Sequence, residues 1–195
     1  HSSHRRQRQM CIRDRSRSYD GSTTAAGSDL SSFDALQGGE TLSMSGSGTA
    51  ASKDVANNIS MSNNGNLALV DGTGLASNYS LNSTIINITT KSVDLSGTKI
   101  YDANTTLDNS IVSISSGLVG SETLTLTGEV NTNNANAGSY SASGGTLNNA
   151  TTTIALANGS NGGLAANYAI NDGAFTITQK AISLSGTRLY DATTD

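Results

Sequence analysis

The side chains that could carry chemistry are few, and their types exclude most reactions. Both histidines, His1 and His4, and the single cysteine, Cys11, fall at the very start of the chain. From residue 18 onward there is no His, Cys, Trp or Pro. A serine nucleophile needs a neighbouring base, and the lysines are Lys53, Lys91, Lys99 and Lys180 alone. Soft-metal sites need Cys or His, and one cysteine cannot build a disulfide framework. The carboxylates are scattered, so no glycosidase-type acid pair stands out. Asp71-Gly-Thr-Gly74 and Asn171-Asp-Gly173 read as oxygen-rich turns. Each supplies one carboxylate, too little for a cation that takes about six to eight oxygens, so both are read as plain turns. The expectation is a non-enzyme with no catalytic, cofactor-binding or metal-ligating residues, and no cofactor.

What recurs is a longer pattern. Lys91-Ser-Val-Asp-Leu95-Ser-Gly97-Thr-Lys-Ile-Tyr101-Asp102 returns as Lys180-Ala-Ile-Ser-Leu184-Ser-Gly186-Thr-Arg-Leu-Tyr190-Asp191, 89 residues later (180 − 91). Another Tyr-Asp stands at Tyr19-Asp20, followed by Gly21, 82 residues before Tyr101 (101 − 19). Self-similarity at a fixed spacing marks tandem copies of one module. The first copy lies on the second in two blocks. With an offset of 82, Glu122 matches Glu40, and Leu124 and Leu126 match Leu42 and Met44. With an offset of 89, Asn167-Tyr168 matches Asn78-Tyr79, and Phe175 and Ile177 match Ile86 and Ile88. The change of seven (89 − 82) predicts seven extra residues in a loop or hairpin of the second copy.

The first residues break the pattern. Positions 9 and 13–15, where the motif requires Lys and Leu-Ser-Gly, read Gln9 and Arg13-Asp14-Arg15. Residues 1–17 carry six Arg against Asp14, a charge of +5, which leaves −9 for the rest (−4 − 5). A basic tail can serve nucleic acid, but Arg8-Gln-Met-Cys-Ile-Arg-Asp-Arg15 resembles translated adapter sequence. Residues 1–16 are therefore read as a non-native leader, and no nucleic-acid partner is expected. The expected organisation is a first module at 17–90 lacking its first strand, a second complete module at 91–179, and the truncated start of a third at 180–195. No apolar run reaches membrane-spanning length.

Apolar residues make up 35% of the chain, so each module buries only a modest core. They are placed with period two, as in Val93-Asp-Leu95, Val112-Ser-Ile114, Leu124-Thr-Leu126 and Phe175-Thr-Ile177. This is the pattern of half-buried strands, separated by Asn-, Gly- and Ser-rich turns. The predicted fold is all-β, with tandem small antiparallel β-sandwich (Ig-like) modules. The alternatives are β-grasp-like modules or a β-solenoid, although no subperiod of solenoid length is visible. Tyr79 and Tyr168 read as rings packed at a sheet edge with the hydroxyl on a backbone group. The Asp beside Tyr19, Tyr101 and Tyr190 reads as a turn anchor.

These elements together resemble the YDG-type modules of bacterial surface proteins, including filamentous haemagglutinin-like adhesins secreted by the two-partner route. Tyr19-Asp20-Gly21 is the full signature. Tyr101-Asp102-Ala103 and Tyr190-Asp191-Ala192 replace the glycine, which argues against a strict need for positive φ there. Gly120-Ser-Glu-Thr-Leu-Thr-Leu-Thr-Gly128 fits the second element of the pattern, and Ile177-Thr-Gln-Lys180 fits the exit. The resemblance implies an extracellular structural or adhesive repeat at the bacterial cell surface, acting as stalk or spacer. Its partners are then the neighbouring modules of the same chain. The alternative is a module that itself binds a host glycan or surface protein.

Overall fold

Alternation of apolar and polar side chains dictates strands, and strands account for nearly all the regular structure. In a computed structural model, residues 16–30, 33, 36–81, 84–143, 146–147, 150–190 and 192 are described. In chain order the strands are β1 (Ser16–Ser18), β2 (Thr24–Ala26), β3 (Leu42–Ser45), β4 (Ser47–Ala50), β5 (Ala56–Asn63), β6 (Ala68–Asp71), β7 (Ile85–Thr89), β8 (Lys91–Ile100), β9 (Thr106–Asp108), β10 (Val112–Ser116), β11 (Leu124–Thr127), β12 (Glu129–Thr132), β13 (Gly138–Ser143), β14 (Thr146–Leu147), β15 (Ala150–Thr152), β16 (Ala155–Asn158) and β17 (Tyr168–Thr178). The only helical turns among the described residues are 3-10 turns at Gly27–Asp29, Ala76–Asn78 and Ala165–Asn167. The fold is all-β.

Two compact units divide the chain. One takes residues 1–93, 116–125 and 156–170; the other takes 94–115, 126–155 and 171–195. The core of the first gathers Tyr19, Ala25, Ile59, Ile86, Ile88, Val93 and Tyr168. The core of the second gathers Leu95, Leu107, Val112, Val130, Phe175 and Ile177. Each fully buried large side chain stabilises by roughly 1.5–3 kcal/mol. The pairs Leu42/Met44 and Leu124/Leu126 are only half-buried, so that stripe belongs to the rim of the core.

The first repeat builds one sheet in the order β1-β7-β5-β4-β2, with β3 and β6 forming a separate ribbon. Most pairings are antiparallel, but β1 runs parallel to β7, pairing Ser16 with Asn87 and Ser18 with Thr89. The Tyr19 N–H extends this ladder to the Thr89 carbonyl at 2.9 Å. The second repeat has the same ribbon, β11 with β16, but its sheet is interrupted. There β13 pairs with β14 and β12 with β15, whereas β5 and β4 of the first repeat pair with each other.

Matched hydrogen bonds show where the seven extra residues enter. The Asn66 N–H donates to the Ser47 carbonyl as the Thr153 N–H donates to that of Glu129, so the offset moves from 82 (129 − 47) to 87 (153 − 66). Five residues thus enter between Glu129 and Thr153. Gly72 N–H bonds Gly74 O as Gly159 N–H bonds Gly163 O, so the last two enter between Gly159 and Gly163 (159 − 72 = 87; 163 − 74 = 89). Loops and hairpins take such insertions at little cost. The turn before β4 and β12 is fixed by Gly46 and Gly128 at φ +78° and +83°. A side chain at either would collide with the Asn66 or Thr153 carbonyl.

One turn expectation is overturned. Asn171-Asp172-Gly173 lies inside β17, where Gly173 pairs with Ala142 of β13. Pairing along the whole of β17 overrides the local turn preference of these residues. The other holds its turn: Asp71 Oδ1 accepts the Ala76 N–H at 2.7 Å. Beyond Thr178 the chain carries no regular structure to Tyr190, and Ile182, Leu184, Leu189 and Tyr190 are all exposed. Lys180 and Gly186 lie in this stretch, while Asp191 lies outside the described residues. Lys91, by contrast, opens β8, which buries Leu95 and Gly97.

Candidate functional site

Two arrangements, the first present in both repeats and the second complete once and half-repeated, use most of the polar side chains of the motif. The first is a corner at the end of the opening strand. In the second repeat the buried Lys99 Nζ donates to Asp102 Oδ1 at 2.8 Å, to the Asn104 carbonyl at 2.6 Å and to that of Thr106 at 2.9 Å. In the first repeat Arg17 takes the same three partners, donating to Asp20 Oδ2 and the Thr24 carbonyl at 2.7 and 2.8 Å and to the Ser22 carbonyl. The aspartate closes the turn, because Asp20 accepts the Ser22 N–H at 2.9 Å and Asp102 that of Asn104 at 3.0 Å. The Lys99 ammonium first, and the Asn104 N–H second, hold the Asp102 carboxyl below its usual range.

This corner requires a left-handed residue after the aspartate. Gly21 has φ +76°, but so do Ala103 and Ala192 at +66° and +57°. The inference that alanine removes the need for positive φ is therefore wrong. The cationic side chain and the Asx turn over-determine the backbone, and alanine accepts strain that glycine avoids.

The corner presents Tyr19, which is fully buried, to the second arrangement. A 3-10 turn ends at Asn167 and places Tyr168 beside the loop preceding β11. Tyr168 Oη accepts the Val119 N–H at 3.1 Å and donates to Glu122 Oε2 at 2.6 Å. Tyr19 Oη donates to Glu122 Oε1 at 2.7 Å, and Lys53 Nζ lies 3.3 Å from the same oxygen. The two rings meet edge to face at 5.4 Å, with the Lys53 ammonium 5.9 Å from the Tyr19 ring centre. Asn167 closes the flank: its Oδ1 accepts the Val55 N–H at 2.9 Å and its Nδ2 donates to Asp54 Oδ1 at 2.9 Å. All of these residues lie in the first compact unit.

Burial works against the Glu122 charge, yet the hydrogen bonds from Tyr168, Tyr19 and Lys53 outweigh it, and the carboxyl is held below its ordinary value. Burial first, and the adjacent carboxylate second, push Tyr168 up to about 12 and raise Tyr19 as well. Both phenols therefore stay protonated donors at neutral pH. The contacts with Tyr19 and then Glu122 raise the Lys53 ammonium.

The first repeat holds the same half of this arrangement. Tyr79 Oη accepts the Gln37 N–H at 3.2 Å and donates to Glu40. No second tyrosine and no ammonium reaches Glu40 among the described residues. Tyr101, which follows β8 as Tyr19 follows β1, is 38% exposed.

In chemical terms the groups largely satisfy one another within the protein, the exception being Arg17 Nε, a buried donor that meets no acceptor among the described residues. Among the described residues no three His, Cys, Asp or Glu side chains group to hold a metal, and no helix is long and apolar enough to cross a membrane. Sequence reasoning singled out Tyr19, Tyr79, Tyr168 and the Tyr-Asp pairs, and it matched Glu40 with Glu122 without giving either a role. It likewise matched Asn167 with Asn78 without giving either a role, and it missed Lys53, Arg17 and Lys99. The recurrence of a cation two residues before the tyrosine, at Arg17, Lys99 and Arg188, was the available signal.

The Tyr19-Asp20-Gly21 corner lies inside the stretch that matches a known family. A YDG domain is found at residues 8–87. It begins at Arg8, within the leader that sequence reasoning set apart, and reaches into β7. The YDG domain thus contains Arg17, Tyr19, Glu40, Lys53 and Tyr79. The second repeat carries its own Tyr-Asp corner and Glu–Tyr pair outside that match. Comparison with curated proteins and with solved structures gives no match.

Proposed function

We propose that this chain is a structural repeat segment of a bacterial surface adhesin, extracellular, acting as a stalk or spacer. The supporting observation is that the recurring polar residues bind one another. Lys99, Arg17, Glu122, Tyr19 and Tyr168 hold corners and close contacts within the fold. Tandem modules of this kind set length by copy number, and a YDG domain at residues 8–87 accords with such an array. One residue, Thr90, separates β7 from β8, so consecutive repeats follow each other with almost no linker.

The test is a glycan-array and host-cell binding assay on the whole chain. A stalk gives no saturable binding. Saturable binding at micromolar affinity or tighter overturns the reading and makes the chain a binding module, with exposed Tyr101 and Tyr190 the first positions to substitute, because binding hot spots favour tyrosine.

A further inference from the structure

We propose that Tyr19 and Tyr168 are a modification site, a tyrosine pair that a one-electron oxidant joins covalently, with Glu122 as the base that takes the phenol protons. The oxidant is of the peroxide-fed haem peroxidase class. The site goes beyond the stalk reading and draws on it only for an extracellular source of that oxidant.

The two rings are in contact, with centres 5.4 Å apart at 75°, and they are the one such ring pair among the described residues. Both hydroxyls converge on one carboxylate. Tyr19 Oη lies 2.7 Å from Glu122 Oε1 and Tyr168 Oη 2.6 Å from Oε2, so the ring edges beside the hydroxyls converge as well. The carboxyl is held below its ordinary value and both phenols are raised. At neutral pH the acceptor is therefore charged and both donors carry their protons. Composition directs an oxidising equivalent to this place. The chain has no Trp and its one thiol is Cys11, so from residue 18 onward tyrosine meets no indole or thiol that would be oxidised instead. Tyr140, also buried, faces Asn134 Oδ1 and the Asn136 carbonyl rather than a carboxylate, and no described ring lies against it.

The reaction balances on two electrons and two protons. Each phenol gives one electron to the oxidant and its proton to Glu122. Glu122 takes the protons one at a time and releases each to water on the side of Lys53, which shares Oε1 and whose side chain is 36% exposed. The two phenoxyl radicals spread their spin to the ring carbons beside the oxygen. A carbon–carbon bond forms between one such carbon of each ring. The hydrogen on each of these carbons moves to its own oxygen, which restores two phenols. Hydrogen peroxide takes up the two electrons and two protons and becomes two waters. The new bond closes a loop of 149 residues (168 − 19). Covalent closure of a long loop restricts the unfolded chain and so favours the folded one.

Photo-oxidation of the whole chain by ruthenium trisbipyridine with persulfate, at a dilution that keeps chains apart, tests this. The expected result is dityrosine fluorescence in a monomeric product. Peptide mapping joins Tyr19 to Tyr168, and unfolding of the product moves to higher urea. Tyr19→Phe and Tyr168→Phe each keep the ring and abolish that link. Glu122→Gln keeps the shape but removes the base, and lowers the yield about tenfold or more. Oxidation of the exposed Tyr101 without joining of the pair overturns the proposal. So does a Tyr19–Tyr168 link that forms equally well in urea or in Glu122→Gln. Failure of the cross-link leaves the stalk reading standing, whereas saturable glycan binding removes the stalk reading and leaves the cross-link.

Discussion

Glu40 and Glu122 occupy the same place in two copies of one fold, yet their surroundings differ. Each takes a hydrogen bond from the tyrosine that follows a 3-10 turn. Glu122 also takes Tyr19 and Lys53 and is buried, while Glu40 remains half-exposed. The local sequence fixes the Glu–Tyr pair; what lies across from it decides whether the pair is a surface feature or part of a core. A residue's role in a repeat is therefore not readable from its own copy alone.

The comparison breaks most visibly at the tyrosines. Tyr19→Ala removes a fully buried ring, and urea unfolding of the chain should show a loss of about 3–5 kcal/mol. Tyr101→Ala, at a ring that is 38% exposed, should lose a small fraction of that. Equal losses would mean that the two corners are equally packed and would remove the contrast.

Next come the carboxylates. Glu122→Gln keeps the shape but weakens three acceptor contacts, and a loss of about 1–3 kcal/mol is expected. Glu40→Gln should cost clearly less in the same unfolding experiment.

The pH dependence separates the two arms of the buried contact. Folding lowers the Glu122 carboxyl below its reference value of 4.5, so its contribution is fully present above 4.5 and is lost as pH falls through the folded value. Asp102 and Asp108 share that acid window, the first lowered by Lys99 and the second by Ser110. In Glu122→Gln the acid loss of stability should shrink without disappearing. On the alkaline side Tyr168 moves from 10.0 to about 12, so its contribution is intact below 10.0 and is lost as pH rises through about 12. Tyrosinate absorbance should show a step near pH 12 that Tyr168→Phe abolishes.

The smallest effect lies at the corner itself. Ala103→Gly relieves a left-handed alanine and should stabilise by about 0.5–1 kcal/mol in thermal unfolding. Gly21→Ala should destabilise, because its methyl meets Val119 as well as the strained backbone.

The strands were legible because burial imposes period two: Val93 with Leu95, Ile86 with Ile88 and Phe175 with Ile177 are all core. The tyrosines stood out because they recur. Lys99 and Arg17 were hidden because a cation in an alternating strand reads as a solvent-facing residue. Their burial depends on carbonyls supplied by a loop that folds back over them. Lys53 was hidden for a different reason: its counterpart is Ala135, so recurrence gives it no emphasis. The seven-residue shift was legible, but its division into five and two needed the hydrogen bonds that frame each insertion. Asn171 to Gly173 misled because turn-forming residues lose to a strand partner supplied from far along the chain.

The parallel pairing of β1 with β7 has a mechanical consequence. Parallel neighbours that open and close a repeat are dragged past each other when the chain is pulled lengthwise. Their ladder, from Ser16–Asn87 to the Tyr19–Thr89 bond, is then sheared as a whole, each bond sharing the tension. A hairpin pulled at its ends opens one bond at a time. The strand that begins the repeat and the strand that ends it thus form a clamp, and the repeat resists most strongly along the direction in which a tethered filament is stretched.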